Sequence, residues 1–295
     1  MLKRTLLFTS PVMLSLKNAQ LVVAFKEMPE EKRTIPIEDI GYVIVDNAMV
    51  SLTIPLINAL ADNNVALIFC DERCMPNAML MNLETNTLQC EILNNQIVAG
   101  EVLKKNLWKQ IVEAKIGNQA RLLSKLRKDG AMLRPFYNNV KSGDTDNREG
   151  AAARLYWSLL FGQDFVRDRA APGINALLNY GYTLLRAAVA RALMGAGLLP
   201  AIGLFHHNRS NAFPLADDVM EPYRPFVDEE VYAMTQEGLC EINRTTKARL
   251  LNVLVCDTKF PRVTRPLSLA LSMTAASMVR CYGKESKILT YPVLV

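Results

Sequence analysis

The spacing of apolar residues changes once along this chain, and that change limits the folds open to it. Up to about residue 80 the apolar residues come in short β-branched or aromatic runs. These are Thr5-Leu-Leu-Phe-Thr9, Leu14-Ser-Leu16, Leu21-Val-Val-Ala-Phe25, Tyr42-Val-Ile-Val45 and Val65-Ala-Leu-Ile-Phe69. Runs of this kind, bounded by Asn and Asp, read as buried strands. Lys17-Asn-Ala19 reads as the turn of a hairpin, and Ile54 to Leu60 as one short helix. From about Leu93 the pattern becomes helical. Val102–Leu126, Gly150–Phe161, Ile174–Met194 and Leu267–Val279 are predicted helical segments, the first of them one helix or two ending near Gly130. Gly195, Gly197 and Pro200 close the third, and Pro266 stands at the first turn of the last. Turn residues cluster between Met75-Pro76 and Asn95. The fold class is therefore α+β: a small β-rich N-terminal domain, 1–85, followed by a larger all-helical domain, 86–295.

Half of the 295 residues are hydrophobic, enough to build substantial cores. No apolar run is long and charge-free enough to span a bilayer. The basic and apolar start imitates a secretion signal, but Ser10-Pro11 interrupts it, and Lys17 and Asn18 stand where small residues should precede cleavage. The six cysteines are scattered; Cys70 and Cys74 have ligand spacing but no partner pair, so free thiols in a reducing cytoplasm are expected. A cytoplasmic protein with no membrane partner is the expectation.

The only two histidines, His206 and His207, stand side by side ahead of Asp217, Asp218 and Glu221. One imidazole with two carboxylates suits a divalent ion, and oxygen-dominated ligation points to Mg²⁺ or Mn²⁺. The simpler explanation of the acids is a solvated first helical turn, favoured by the helix dipole. Glu149 has a simpler explanation too: Asp146-Asn-Arg-Glu149 resembles a helix-capping box. The net charge is +5. Lys104, Lys105, Lys109, Lys115, Arg121, Lys125, Arg127 and Lys128 share a span whose one acid is Glu113, with Arg148 and Arg154 farther on. A basic stretch suits a phosphate backbone. No phosphate-cradling Gly-rich loop is present. Metal ligands beside basic helices point to phosphodiester chemistry.

Several motifs, in order, resemble the CRISPR-associated spacer-acquisition integrase/endonuclease family, most like its type II branch. They include Lys115-Ile-Gly-Asn-Gln119, Asn147-Arg-Glu-Gly-Ala-Ala-Ala-Arg154, Leu178-Asn-Tyr-Gly-Tyr182, Gly203-Leu-Phe-His206 and Asp218-Val-Met-Glu-Pro-Tyr-Arg-Pro225. The resemblance implies an N-terminal β-sandwich that dimerises and a helical catalytic domain. It implies catalytic metal ligands at Glu149, His206 and Glu221, with Asp218 behind them and His207 a bystander. The basic residues, Arg127 and Lys128 aside, would contact DNA. The implied activity joins short double-stranded DNA fragments into the CRISPR repeat by attack of a 3′-hydroxyl on a phosphodiester. The implied partners are a second copy of the chain, the small dimeric second protein of the adaptation module, and the type II effector nuclease. Two alternatives remain: a structure-specific metal-dependent endonuclease using water as nucleophile, and a non-catalytic DNA-binding scaffold whose acids are caps and surface charge.

Overall fold

A computed structural model of the chain describes residues 3–26, 30–80, 82, 86–205 and 209–295. It divides into two compact units, Met1–Leu83 and Glu84–Val295. The fold is mixed, with strands at the N-terminus and a predominantly helical C-terminal region.

The first unit contains β1 (Arg4–Phe8), β2 (Val12–Lys17), β3 (Gln20–Phe25), β4 (Lys32–Pro36), β5 (Ile40–Val45), β6 (Ser51–Leu52), α1 (Ile54–Asp62), β7 (Ala66–Cys70) and β8 (Pro76–Leu80). One sheet has the order β1-β5-β7-β8 and the other β4-β3-β2-β6. Strand β5 is buried at every residue, which is why its sequence is a continuous apolar run. In the β2–β3 hairpin Lys17 pairs with Gln20, leaving Asn18 and Ala19 as a two-residue turn with φ of 49° and 55°. Positive φ at both positions matches the twist of the flanking strands. Leu14 and Leu21 of one sheet, Ile40, Val43 and Leu67 of the other, and Leu56 and Leu60 of α1 form one apolar cluster. Strands β4, β6 and β8 were not expected from the sequence. Each is a sheet edge, and edges tolerate charge, Pro and short length, so Lys32-Arg-Thr-Ile-Pro36 carries no apolar signature.

The second unit contains α2 (Gln89–Ile97), α3 (Glu101–Lys125), α4 (Arg134–Tyr137), α5 (Arg148–Phe161), α6 (Ile174–Gly195), α7 (Pro214–Met220), α8 (Arg224–Gln236), α9 (Arg244–Asn252), β9 (Asp257–Lys259), β10 (Thr264–Pro266) and α10 (Leu267–Tyr282). An all-helical unit was expected, and the β9–β10 ribbon corrects that. Phe260 N–H donates to Val263 O at 2.8 Å to make its turn, and buried Thr258 donates through Oγ1 to Arg265 O at 2.8 Å. Three residues a strand are too few to show alternation in the sequence. Among the described residues, no helix is long and apolar enough to cross a membrane.

Helix α3 is the axis of this unit. Residues 115–120 are all buried, so the helix is enclosed on every side there. It packs against α4, α5, α8 and the 3-10 turn Glu221–Tyr223. Helices α6 and α8 approach closely where α6 carries Gly181. A Cβ there would lie 2.4 Å from Val227 Cγ1 and 3.2 Å from Leu250 Cδ2. Val227 is buried and β-branched, so it cannot turn aside freely. Gly181→Ala is therefore expected to destabilise the protein by about 1–3 kcal/mol, through overpacking. Urea denaturation measures it; an unchanged midpoint would show that the two helices do not meet this closely.

Candidate functional site

Glu149 comes from the second position of α5, and the turn before it is built to hold that position. Asp144, itself buried, accepts from the backbone N–H groups of Arg148 (Oδ1, 2.8 Å) and Glu149 (Oδ2, 3.0 Å). Asn147 caps the helix from a left-handed conformation, φ 51°, accepting from Gly150 N–H at 3.1 Å. A Cβ at residue 150 would lie 2.7 Å from the Asn147 Oδ1, so glycine follows Glu149 for a steric reason. The cap thus belongs to Asp144 and Asn147. The capping box expected of Asp146 and Glu149 does not form: Asp146 pairs with Lys141 at 2.9 Å, and the Glu149 side chain turns inward.

Glu221 opens the 3-10 turn between α7 and α8, and α3 grips that turn. Asn118, on α3, donates through Nδ2 to Pro222 O at 2.8 Å and to Pro292 O at 3.1 Å. One turn earlier on α3, the Lys115 ammonium lies 2.5 Å from Glu149 Oε1 and 2.5 Å from Glu221 Oε2. The other Glu221 oxygen, Oε1, is paired with Arg224 at 2.8 Å. Two carboxylates and two cations thus share a cluster in which the Glu221 side chain is 4% exposed and that of Lys115 8%. Burial lowers the Lys115 pKa, but Glu221 and Glu149 more than reverse this, leaving it above its ordinary value. Two carboxylates held this close to one ammonium repel each other, so a cation between them is needed.

The three acids after the histidines part company. Asp217 pairs with Arg186 at 2.9 Å and accepts from Asn211 at 2.7 Å, so it ties down the loop preceding α7. Asp218 is fully buried, and its Oδ2 accepts from the backbone N–H groups of Leu204 (2.7 Å) and Phe205 (3.1 Å). The Phe205 ring stacks on Trp108 of α3, with centroids 4.4 Å apart and planes 3° from parallel. Asp218 and Trp108 therefore fix the two residues ahead of His206. His206 and His207 themselves lie outside the described residues. Neither helical-face pairing expected, Asp217 with Glu221 or Asp218 with Glu221, forms the cluster; Glu149 and Glu221 do.

A layer behind the carboxylates was not foreseen. The Arg224 guanidinium lies 4.7 Å from the Tyr182 ring centre and that of Arg167 5.5 Å from it. Asp228, one turn after Arg224, accepts hydrogen bonds from the Tyr156 hydroxyl, at 2.7 Å, and from that of Tyr182. Tyr156 is two turns after Glu149 on α5, so one helix serves both layers. Burial pushes the Asp228 pKa up to about 6, against the lowering pull of the two hydroxyls, Arg224 and Arg167.

Of the basic residues expected at DNA, Lys105, Arg121, Lys125 and Arg154 are exposed. Lys104 pairs with Glu101 (3.4 Å), Lys109 with Glu113 (3.7 Å), Lys125 with Glu229 (2.6 Å), and Arg148 lies 3.9 Å from Asp146. Surface pairs of this kind are worth about 0–1 kcal/mol and give way to a phosphate. At 100° per residue, Lys105 and Lys109 fall on a different side of α3 from Arg121 and Lys125, so the run forms no single stripe. Lys115 departs from the group: its ammonium is enclosed by carboxylates and presents no charge at the surface.

Two carboxylates converging on one point fit a divalent cation, as the chemistry of the pair itself shows. Oxygen donors of full negative charge suit Mg²⁺ or Mn²⁺. Among the described residues, no three His, Cys, Asp or Glu side chains gather into a complete ligand set.

Known proteins resemble the chain over most of its length. A family model described as "CRISPR associated protein Cas1" matches residues 6–254. The CRISPR-associated endonuclease Cas1 of Neisseria meningitidis serogroup C is 41% identical over 256 residues, 85% of this chain and 83% of that protein. Among solved structures, a casposase bound to integration product matches with a TM-score of 0.79 at 21% identity, covering 97% of this chain and 92% of that one. A partial Cas6-RT-Cas1–Cas2 complex matches with a TM-score of 0.64 at 18% identity, covering 99% and 100%. These two likenesses concern the fold.

Asp228 yields a prediction with a definite sign. The folded state keeps its proton up to about pH 6, whereas an unfolded aspartate releases it near 3.8. Between those values the folded state binds more protons, so this group's contribution to stability falls as pH rises. From pH 5 to pH 7 the stability of the wild type relative to Asp228→Asn is expected to fall by about 1 kcal/mol. Chemical denaturation at the two pH values measures this; a constant difference would contradict the raised pKa.

Proposed function

The chain belongs to the CRISPR-associated Cas1 family, and from that premise we propose that it is a metal-dependent DNA integrase of CRISPR adaptation. One observation carries the reading: Glu149 and Glu221, from separate elements of the helical unit, meet at a single cation. Mg²⁺ or Mn²⁺ would be held by these two carboxylates, with His206 as the third ligand. When bound, the ion polarises the phosphate and stabilises charge on the entering and leaving oxygens.

The protein's own groups set up the exchange. The 3′-oxygen of the incoming fragment forms a bond to the phosphorus at the repeat boundary, and the bond from that phosphorus to the repeat's 3′-oxygen breaks. The attacking hydroxyl gives up a proton and the departing oxygen gains one, so one phosphodiester replaces another without nucleotide hydrolysis. Arg224 holds Glu221 Oε1, so this carboxylate faces the site through Oε2. Asp144 and Asn147 fix the entry of α5 and with it Glu149. Asp218 fixes the backbone ahead of His206, and its proposed role is to support the ligands from behind. Lys104, Lys105, Lys109, Arg121, Lys125, Arg148 and Arg154 position double-stranded DNA through its backbone without reading sequence.

The N-terminal unit, 1–85 in the sequence-based division, is proposed to be a β-sandwich that pairs two copies of the chain, and 86–295 to be the catalytic domain. The small dimeric second protein of the adaptation module is the expected partner, supported by the fold likeness to a chain from a Cas1–Cas2 assembly. The effector nuclease of a type II system is a further one, and the cytoplasm is the expected location. A second reading is supported by the name of the Neisseria relative, an endonuclease: the same site using water as nucleophile would cut and not join.

A strand-transfer assay tests both. Labelled duplex fragments with free 3′-hydroxyls are mixed with a repeat-bearing supercoiled plasmid, the protein, its small partner and Mn²⁺ or Mg²⁺. Label should enter the plasmid with the wild type and fall at least about a thousandfold with Glu149→Gln or Glu221→Gln, while DNA binding by gel shift stays intact. Nicking without joining would favour the endonuclease. DNA binding with neither joining nor nicking would favour the scaffold, and joining that survives both substitutions would overturn Glu149 and Glu221 as metal ligands. His206→Ala should abolish joining, and His207→Ala should leave most of it; equal losses would undo the choice of His206.

A further inference from the structure

The point where the two carboxylates meet already holds a charge from the protein. Lys115 Nζ is 2.5 Å from Glu149 Oε1 and 2.5 Å from Glu221 Oε2. A divalent ion bound to the same two oxygens, at the usual distance of about 2.1 Å, would fall almost on top of that nitrogen. The two cannot coexist there. Charge leads to the same conclusion: Lys115 and Arg224 balance Glu149 and Glu221, so an added divalent ion leaves the cluster with two uncompensated positive charges. The other Glu221 oxygen, Oε1, is already paired with Arg224 at 2.8 Å, so an ion there would face a second cation. Helix α3 is enclosed at residues 115–120 and cannot withdraw as a body. What can move is the lysine side chain, through its four flexible torsions.

We propose that Lys115 is an internal counter-ion, which holds Glu149 and Glu221 together without metal and which a divalent ion must displace to bind. Lys115 therefore sets the ion affinity of the site, acting on the metal ligands and not on DNA. This rests on the reading of Glu149 and Glu221 as metal ligands, and the two ideas fail in different ways.

The test is calorimetric titration of the full-length protein with Mn²⁺, alongside thermal unfolding with and without the ion. Lys115→Met keeps the length of the side chain and removes its charge. Without Mn²⁺ it should melt several degrees below the wild type, because the carboxylates lose their cation. With Mn²⁺ it should bind at least about tenfold more tightly, and the ion should raise its melting temperature more than that of the wild type. The added affinity should vanish in Lys115→Met/Glu149→Gln. A folded Lys115→Met that binds Mn²⁺ no more tightly than the wild type would overturn the displacement. Mn²⁺ binding to the wild type that Glu149→Gln leaves untouched would instead overturn the metal site. Should Lys115→Met fail to fold, Lys115→Arg keeps the charge, and its forked guanidinium grips carboxylates more firmly. It should bind Mn²⁺ more weakly than the wild type, and equal or tighter binding would count against the proposal.

Discussion

Two carboxylates, buried Glu221 and partly buried Glu149, each 2.5 Å from one ammonium, form the contact around which the helical unit is organised. Taking such charges out of water costs several kcal/mol for each ion, and only close, multiply bonded geometry recovers it. The surrounding structure supplies that geometry. Helix α3 brings Lys115 to the centre and uses Asn118 to clamp the turn that carries Glu221. Asp144 and Asn147 fix the start of α5, which brings Glu149. Arg224 then occupies the remaining Glu221 oxygen, and Tyr182 and Asp228 stand behind Arg224. Removing one partner of such a buried set costs about 3–5 kcal/mol, because the charge left behind has nowhere to go.

The same arrangement fits the phosphodiester chemistry proposed for the site. Rigid elements place the acids, so little reorganisation is needed when charge develops on a reacting oxygen. The segment leading to His206 is held in the same manner, by Asp218 on its backbone and Trp108 under the Phe205 ring. One stripe of α3 thus serves three purposes: Trp108 for the histidine segment, Lys115 for the carboxylates, and Asn118 for the Glu221 turn.

Long helices and central strands were legible in the sequence because burial marks it, as a helical period or as a continuous apolar run. Val102–Leu126 reads as a helix and is α3; Tyr42–Val45 reads as a buried strand and lies in β5. The edge strands β4, β6 and β8 were not, since an edge needs no apolar face. The site was legible only through family resemblance. Nothing local distinguishes Lys115 from its basic neighbours; what sets it apart is two carboxylates brought to it by folding. The cap of α5 was misread for a related reason. Positive φ at Gly143, Asp144 and Asn147 winds the chain so that Asp144, not Asp146, reaches the helix start. Asp228 left no signal at all, because its partners, Tyr156 and Tyr182, lie on two other helices.

The most direct test of the central claim, that Glu149 and Glu221 form one divalent-ion site, is anomalous diffraction from crystals of the protein grown with Mn²⁺. A manganese peak is expected, bonded to Glu149 Oε1 and Glu221 Oε2, with the His206 imidazole as a third ligand. A peak at any other position, with Lys115 still bridging the two carboxylates, would contradict it.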